Sequence, residues 1–371
     1  MDFELSDERR MLAETAERYL AAEYPMARRH KAAAEPAGFD RAAWEEMAEL
    51  GLVAALLPPE AGGLGGRGED LLVVFERLGR AAVVEPFLAQ LLGATAIRET
   101  GAAADWEPIA EGRRRLAFAH SEPGGRFETA HVTTRAVAEG EAWHLTGAKT
   151  VALNADAADA IVVSARLDGA AQDPDGLGLF LVEGTAPGLT RRGYGTVEGG
   201  QAADLTLTQA PAQPLGRPGQ ALPVIETVLA RGALAVSAEA LGLMEVCKDT
   251  TLEYLKTRSQ FGRPIGAFQA LQHRMVDMLL EIEQARSAVM LAAGLADSPG
   301  PDAARALHAA KHLVGRVGRQ VAEEAIQLHG GIAMTWEYDL PHFAKRLVMI
   351  DHLFGDTDHH LERFLSLEGA P

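Results

Sequence analysis

Cysteine is nearly missing from this sequence. Cys247 is the single one in 371 residues, so no disulfide can form within the chain and nothing is arranged for an oxidising compartment. Cations are also in short supply, 35 Lys and Arg against 52 Asp and Glu, for a formal net charge of -17. A field of that sign repels phosphate backbones and excludes nucleic acid as a partner, while leaving room for a phosphorylated cofactor that needs only a few local cations. No run approaches a membrane span in length without a charge or a glycine, so no spanning segment is expected. The first residues, Met1 to Asp7, are acidic and lack a basic stretch before an apolar one. No signal peptide is read there, and the expected location is the cytoplasm. Aromatics make up only 6% of the chain, and Ala and Leu supply most of its 47% hydrophobic residues. That balance favours helix, because both residues lose little on entering one.

The helical pattern begins at Ser6, which can cap, and continues to about Ala34 through Met11, Ala16 and Leu20. Further helices are expected over 40–50, 69–79 and 85–100, with a Gly- and Pro-rich loop from Pro58 to Gly66. After Arg115 the texture changes. Short apolar or alternating runs at 116–120, 131–138, 142–146, 160–165, 177–182 and 203–207, punctuated by Gly, Asp and Pro, predict antiparallel strands. Four long helices follow, at 222–258, 268–295, 302–328 and 340–365. The expected fold class is α+β and mostly helical. It comprises an N-terminal helical domain (1–114), a middle antiparallel β domain (115–215) and a C-terminal four-helix bundle (216–371). No GxGxxG follows a strand and strands do not alternate with helices, which argues against a dinucleotide fold.

Two stretches carry chemistry. In the first, Arg258 ends a long helix, Phe261 and Gly262 follow, and Pro264, Ile265, Phe268 and Gln269 open the next. Arg258 offers a planar fork suited to a diphosphate, Phe261 a flat surface for a purine, and Gln269 an amide for a polar ring edge. Taken alone, a plain helix–turn–helix with Arg258 in a surface ion pair is the better explanation. In the second, Gln327 lies one turn before Gly330 and Gly331, which permit a left-handed cap and close backbone approach to a ligand. Simple helix termination is the competing explanation.

Together these stretches resemble the acyl-CoA dehydrogenase family, whose pattern reads Arg-x-x-Phe-Gly-x-Pro-Ile-x-x-Phe-Gln and then Gln-x-x-Gly-Gly. The loop at 59–66, the Ser121–Pro123 turn and the Leu145, Gly147, Lys149 run fall in the same order. Within the family the chain is similar to small subunits of pimeloyl-CoA dehydrogenase and related bacterial hetero-oligomeric enzymes. The resemblance implies FAD as cofactor, an acyl-CoA substrate and an electron-transferring flavoprotein as acceptor. It also implies a tetramer, homomeric or built with a related subunit. Arg258, Phe261, Gln269, Gln327, Gly330 and Gly331 would contact the ADP half of a FAD held mainly by a neighbouring subunit. Ser121 would belong to the flavin loop of the β domain.

The chain also departs from that pattern. After Ser121, Glu122 and Pro123 the family's Gly-Ser-Asp run is lost, replaced by Gly124, Gly125, Arg126 and Phe127. Val151, Ala152 and Leu153 stand where most members have Trp-Ile-Thr. The usual catalytic Glu aligns with Phe354, and the family's other location for the base falls near Gly232. Asp356 is the nearest titratable group to the first position and is the candidate base; Glu239 and Glu245 lie further along the helix. His359 and His360 lack a third ligand at definable spacing, so no metal is expected. His329 is expected to pack at its helix end, Cys247 to be a buried inert thiol, and Glu323 with Glu324 to form a solvated face. Three readings follow: a FAD-dependent acyl-CoA dehydrogenase subunit, a non-catalytic or half-site partner subunit, and a flavin-free interaction protein retaining the fold.

Overall fold

The computed structural model describes residues 5–140 and 142–368. The chain divides into two compact units. One contains Met1–Ala27, Arg67–Val83 and Ala233–Pro371; the other contains Arg28–Gly66 and Val84–Gly232.

The first unit is helical. Ser6 caps α1 (Asp7–Glu23), its hydroxyl accepting from the Arg9 amide. The expected single helix to Ala34 stops at Tyr24, because Pro25 biases the residue before it away from helix. A second helix, α2 (Met26–Ala34), follows and, with α3 (Arg41–Glu49), falls mostly in the second unit; α4 (Gly68–Arg80) belongs to the first. α4 meets α7 (Leu222–Thr257) at two glycines. A Cβ on Gly79 would lie 2.1 Å from the Glu239 carbonyl oxygen, and one on Gly242 would lie 2.1 Å from that of Glu76. α7 is long and apolar enough to cross a membrane, but 83% of its most apolar stretch is buried inside the protein.

α8 (Gln269–Leu295) and α9 (Pro301–His329) pack along each other, and α9 carries α10 (Leu340–Asp351) and α11 (Thr357–Glu368). The last expected helix, 340–365, is therefore two, which corrects the four-helix count to five among the described residues. The break lies at Phe354 (φ +59) and Gly355 (φ +108), left-handed backbone that no helix tolerates. The segment is pinned by the buried ammonium of Lys311, which donates to the carbonyls of Asp351 (3.2 Å) and Gly355 (2.9 Å).

The second unit is built on a seven-stranded sheet against which α5 (Phe87–Thr100) packs, while α6 (Trp106–Ala110) meets the turn at Pro59–Ala61. Its strands are β1 (Leu116–Ala119), β2 (Arg135–Glu139), β3 (Ala142–Leu153), β4 (Ala160–Arg166), β5 (Leu177–Glu183), β6 (Leu189–Gly195) and β7 (Gln201–Leu215). The pairings β4–β2–β3–β7–β5–β4 run in a ring, and Leu145, Ile161, Val163, Phe180, Val182 and Leu205 fill its core. The sheet is antiparallel except that β1 runs parallel to β4 and β2 meets β4 in one parallel pair, a departure from the expected all-antiparallel block. β4 is buried along its whole length, which is why it reads as a continuous apolar run. β6 was not expected, because its Arg191, Arg192 and Gly193 suppress the strand signal. A short hairpin, β8 (Ser259–Gln260) with β9 (Arg263–Pro264), lies outside the expected β domain (115–215).

Backbone-on-backbone contact cannot relax by moving a side chain. Gly242→Ala should therefore destabilise the protein by about 1–3 kcal/mol, read from the midpoint of chemical denaturation. An unchanged midpoint would mean that α4 and α7 can separate without loss.

Candidate functional site

The β unit presents the Ser121–His131 loop from a buried ionic base. Lys149, on β3, is fully buried, and its ammonium donates to Glu122 Oε1 (2.7 Å), Ser164 Oγ (2.9 Å) and the His120 carbonyl (3.1 Å). The Glu122 carboxylate also accepts from the amides of Thr133 (2.6 Å) and Thr134 (3.0 Å). Burial lowers Lys149 to about 8 against the pull of Glu122. Burial alone would raise Glu122, but Lys149 and the Thr133 and Thr134 bonds hold it down at about 2. Burial beside Lys149 lowers His120 to about 3, so its ring stays neutral against Ser164 Oγ (2.9 Å). Ser121 itself is exposed, and its carbonyl accepts from Thr150 N (2.8 Å), tying the loop to β3.

Two residues beyond Lys149, the β3–β7 register shifts, and Val151 takes φ +53 with half its surface exposed (51%). A β-branched residue is a rare occupant of that region, so the chain holds a strained backbone where the family pattern has its Trp.

In the helical unit, Tyr254 and His329 bring the two sequence motifs together. Their rings stack at 4.4 Å, joining the end of α7 to the end of α9. His329 is buried with Nδ1 2.8 Å from the Ala325 carbonyl. Arg258 lies one turn past Tyr254, and Gly330 directly follows His329 with φ +69. A Cβ at Gly330 or Gly331 would meet nothing within 4 Å, so both leave open space. Arg258, Gln269 and Gln327 are exposed and engage no other side chain among the described residues. Phe261 is 91% exposed, at the tip of the β8–β9 hairpin. Its φ of +53, followed by Gly262 at +79, is the backbone of a two-residue turn that prefers Asn-Gly. Phe268 meets it edge-on at 6.1 Å.

The carboxylates near the expected base positions are committed elsewhere. Asp356 Oδ1 accepts from His359 N (2.9 Å), capping α11. Glu239 forms a two-point pair with Arg346 (2.7 and 2.8 Å). Glu245 pairs with Lys248 and with Arg286 (3.1 Å). His360 Nε2 lies 3.0 Å from the Phe354 carbonyl, and its Nδ1 faces that of His308 at 2.8 Å. Burial pushes these two imidazoles down to about 2 and about 4, so the pair is neutral. Among the described residues no group of three His, Cys, Asp or Glu is placed to hold a metal. Sequence reasoning missed the buried ionic base and the His308–His360 contact. For Lys149, a charged residue inside an otherwise apolar strand pattern was the available signal.

Models of the acyl-CoA dehydrogenase N-terminal, middle and C-terminal domains match residues 6–105, 117–209 and 219–364. The chain belongs to the acyl-CoA dehydrogenase family. It is 31% identical over 342 residues to acyl-CoA dehydrogenase IpdE2 of Mycobacterium tuberculosis, covering 92% of this chain and 91% of that protein. It superposes on a variant of the Tcur3481-Tcur3483 steroid ACAD with a TM-score of 0.87 and 31% identity over 98% of both chains. Butyryl-CoA dehydrogenase from Megasphaera elsdenii matches with a TM-score of 0.89 and 25% identity over 99% of both.

Acyl-CoA dehydrogenases are FAD-dependent oxidoreductases acting on CH–CH donors, and this chain is one of them. Its residues fit the two halves of FAD unequally. An exposed aromatic held in strain, a cation and two amides engaging no other side chain, and two open glycines suit a purine and a diphosphate. The β3 position has Val151 and Leu153 where an acyl-CoA dehydrogenase usually offers an indole and a hydroxyl for the flavin ring.

The pH behaviour of the β unit follows from Glu122. Its folded-state pKa of about 2 lies below its ordinary 4.5, so its contribution to stability is full above pH 4.5 and is lost as pH falls through 2. Glu122→Gln should remove that acid-limb slope and, by stranding Lys149, cost about 3–5 kcal/mol at neutral pH. Denaturation midpoints of both proteins between pH 2 and 5 check this; parallel profiles would contradict it.

Proposed function

We propose that this acyl-CoA dehydrogenase is one subunit of a heteromeric enzyme that oxidises an acyl-CoA to the trans-2-enoyl-CoA. In that assembly it donates the ADP clamp while a related chain supplies the proton-abstracting Glu. The observation that carries this reading is the pairing of an intact clamp with a base position occupied by Phe354, while Asp356, Glu239 and Glu245 are engaged in other hydrogen bonds. Arg258 would hold the diphosphate by charge-assisted hydrogen bonds, Phe261 with Gln269 would receive the adenine, and Gln327 with the open backbone at Gly330 and Gly331 would line its edge. Bound FAD supplies the acceptor for the hydride leaving Cβ. The partner's carboxylate would take the Cα proton, for which this chain has no uncommitted group at the family's positions.

Val276, Leu279, Leu280 and Leu291 on α8, and Phe261 and Met334 elsewhere in the helical unit, are exposed apolar side chains that a subunit interface would cover. The likeness to a steroid ACAD named for two proteins, Tcur3481 and Tcur3483, supports a second, related chain as the occupant. An electron-transferring flavoprotein is the proposed acceptor, and the cytoplasm the proposed compartment. The competing reading keeps Asp356 as base in a homomeric enzyme, which would require it to leave its cap on α11. The three-domain division at 1–114, 115–215 and 216–371 is proposed alongside, supported by the three matched domain models.

Two experiments test this. The chain purified alone should hold FAD weakly or substoichiometrically and show little acyl-CoA-dependent bleaching, whereas co-expression with its genomic neighbour should restore both. One tightly held FAD per chain with rapid bleaching by the isolated protein would overturn the division of labour. Phe261→Asn relieves left-handed strain, and should leave the protein as stable or more stable by roughly 1 kcal/mol. The same variant should release FAD from the assembled enzyme faster; unchanged retention would remove Phe261 from the clamp.

A further inference from the structure

The helical unit contains a pocket of about 270 Å³ that neither the clamp nor the base position uses. It is bounded by α7, the start of α10 with the segment before it, and Met26 at the start of α2, all within that unit. Its size falls below the roughly 300–1,000 Å³ of a typical ligand or cofactor site and suits a compact molecule. Val246, Leu340 and Phe343 give it apolar surface, while Thr250, Tyr338, Glu337 and Asp339 supply the polar groups. No lysine, arginine or histidine lines it. The side chains of Glu337 and Asp339 make no hydrogen bond or ion pair among the described residues. Lys345, the next lysine or arginine along the chain, lies over the Trp336 ring at 4.8 Å, and Arg346 is paired with Glu239.

A buried group beside the pocket points to the same kind of ligand. His329 is 4% exposed, and its ring meets that of Tyr338 at 5.4 Å. Its Nδ1 lies 2.8 Å from the Ala325 carbonyl, which can only accept, so Nδ1 carries the proton and Nε2 is left with a lone pair. Nε2 has no hydrogen-bond partner among the described residues. The other backbone group that acts on the ring belongs to Thr250, on the pocket wall, and burial keeps the imidazole neutral against the pull of both. A buried acceptor without a donor carries a desolvation cost that a bound donor removes.

Every recognition group here favours positive charge. Two carboxylates and a lone pair accept hydrogen bonds, and the faces of Tyr338 and Phe343 attract a cation. The net charge of -17 raises the local concentration of cations and opposes anions. The pocket therefore differs in kind from a site for FAD or an acyl-CoA, both of which carry phosphates. We propose that it binds a small organic ammonium ion with an apolar body. The N–H groups donate to the Glu337 and Asp339 carboxylates, with His329 Nε2 as a further acceptor, and the hydrocarbon covers Val246 and Phe343.

Phenethylammonium is a suitable probe, with 2-phenylethanol as its uncharged analogue and 3-phenylpropanoate as an anion. Each is titrated by calorimetry into the full chain, alone and assembled with its partner. Phenethylammonium should bind about tenfold more tightly than either analogue. The double variant Glu337→Gln with Asp339→Asn should weaken it about tenfold, leaving 2-phenylethanol binding, the thermal midpoint and the flavin content of the assembly unchanged. Both positions are exposed, so the variant keeps the fold. Equal binding of the ammonium ion and the alcohol would overturn the proposal, as would a double variant that binds phenethylammonium as well as the wild type does. Binding to the free chain that disappears in the assembly would also overturn it, by giving the pocket to the partner. FAD retention reports on the clamp separately, so failure of the clamp leaves this test intact.

Discussion

Two opposite charges buried in the β unit, Lys149 and Glu122, set the geometry of every functional feature that the unit displays. Isolated, either charge would carry a large desolvation cost; together, with Ser164, Thr133, Thr134 and the His120 carbonyl completing their hydrogen bonds, they form a closed polar core. From that core the Ser121–His131 loop rises on one side and the strained Val151 segment on the other. A ligand meeting these segments meets a surface that is already ordered, which lowers the entropic cost of binding.

Left-handed backbone recurs where the family pattern places function. Phe261 holds it at the tip of a hairpin, Arg126 in the Ser121 loop, Val151 after Lys149, and Phe354 at the family's base position. Each is a residue poorly suited to that conformation, and three of the four side chains face solvent to a substantial degree. The strain is maintained by well-packed neighbours: the Tyr254–His329 stack, the Lys149 core, and Lys311 with His360 around Gly355. Strain kept beside solvent points to partners outside the chain, in agreement with a subunit whose chemistry is completed by another.

Much of this was legible in the sequence because it depends on local rules. The Ser6 cap, the Gly330 stop and the long Ala- and Leu-rich helices each follow from residues within a turn of one another. The Arg258 and Gln327 motifs were readable as a spaced pattern, although the ring stack that brings them together joins residues 75 positions apart. What escaped depends on tertiary context. Nothing local marks the parallel pairing of β1 with β4, or reveals that arginines 191 and 192 sit in a strand against β7. The split after Asp351 was missed although Gly355 offered a stop and Asp356 a cap; that Phe354 itself turns left-handed depends on the fold around Lys311. Asp356 looked available as a base, and its use as a helix cap became visible only with α11 in place.

The central claim is that this chain clamps the adenine end of a cofactor whose chemistry another chain completes. Photolabelling of the assembled enzyme with an 8-azidoadenine analogue of FAD, followed by peptide mapping, tests it most directly. The account predicts label on this chain within 258–269 or beside Gly330 and Gly331, with the catalytic carboxylate found in the partner. Label confined to the partner chain, with none on this one, would contradict it.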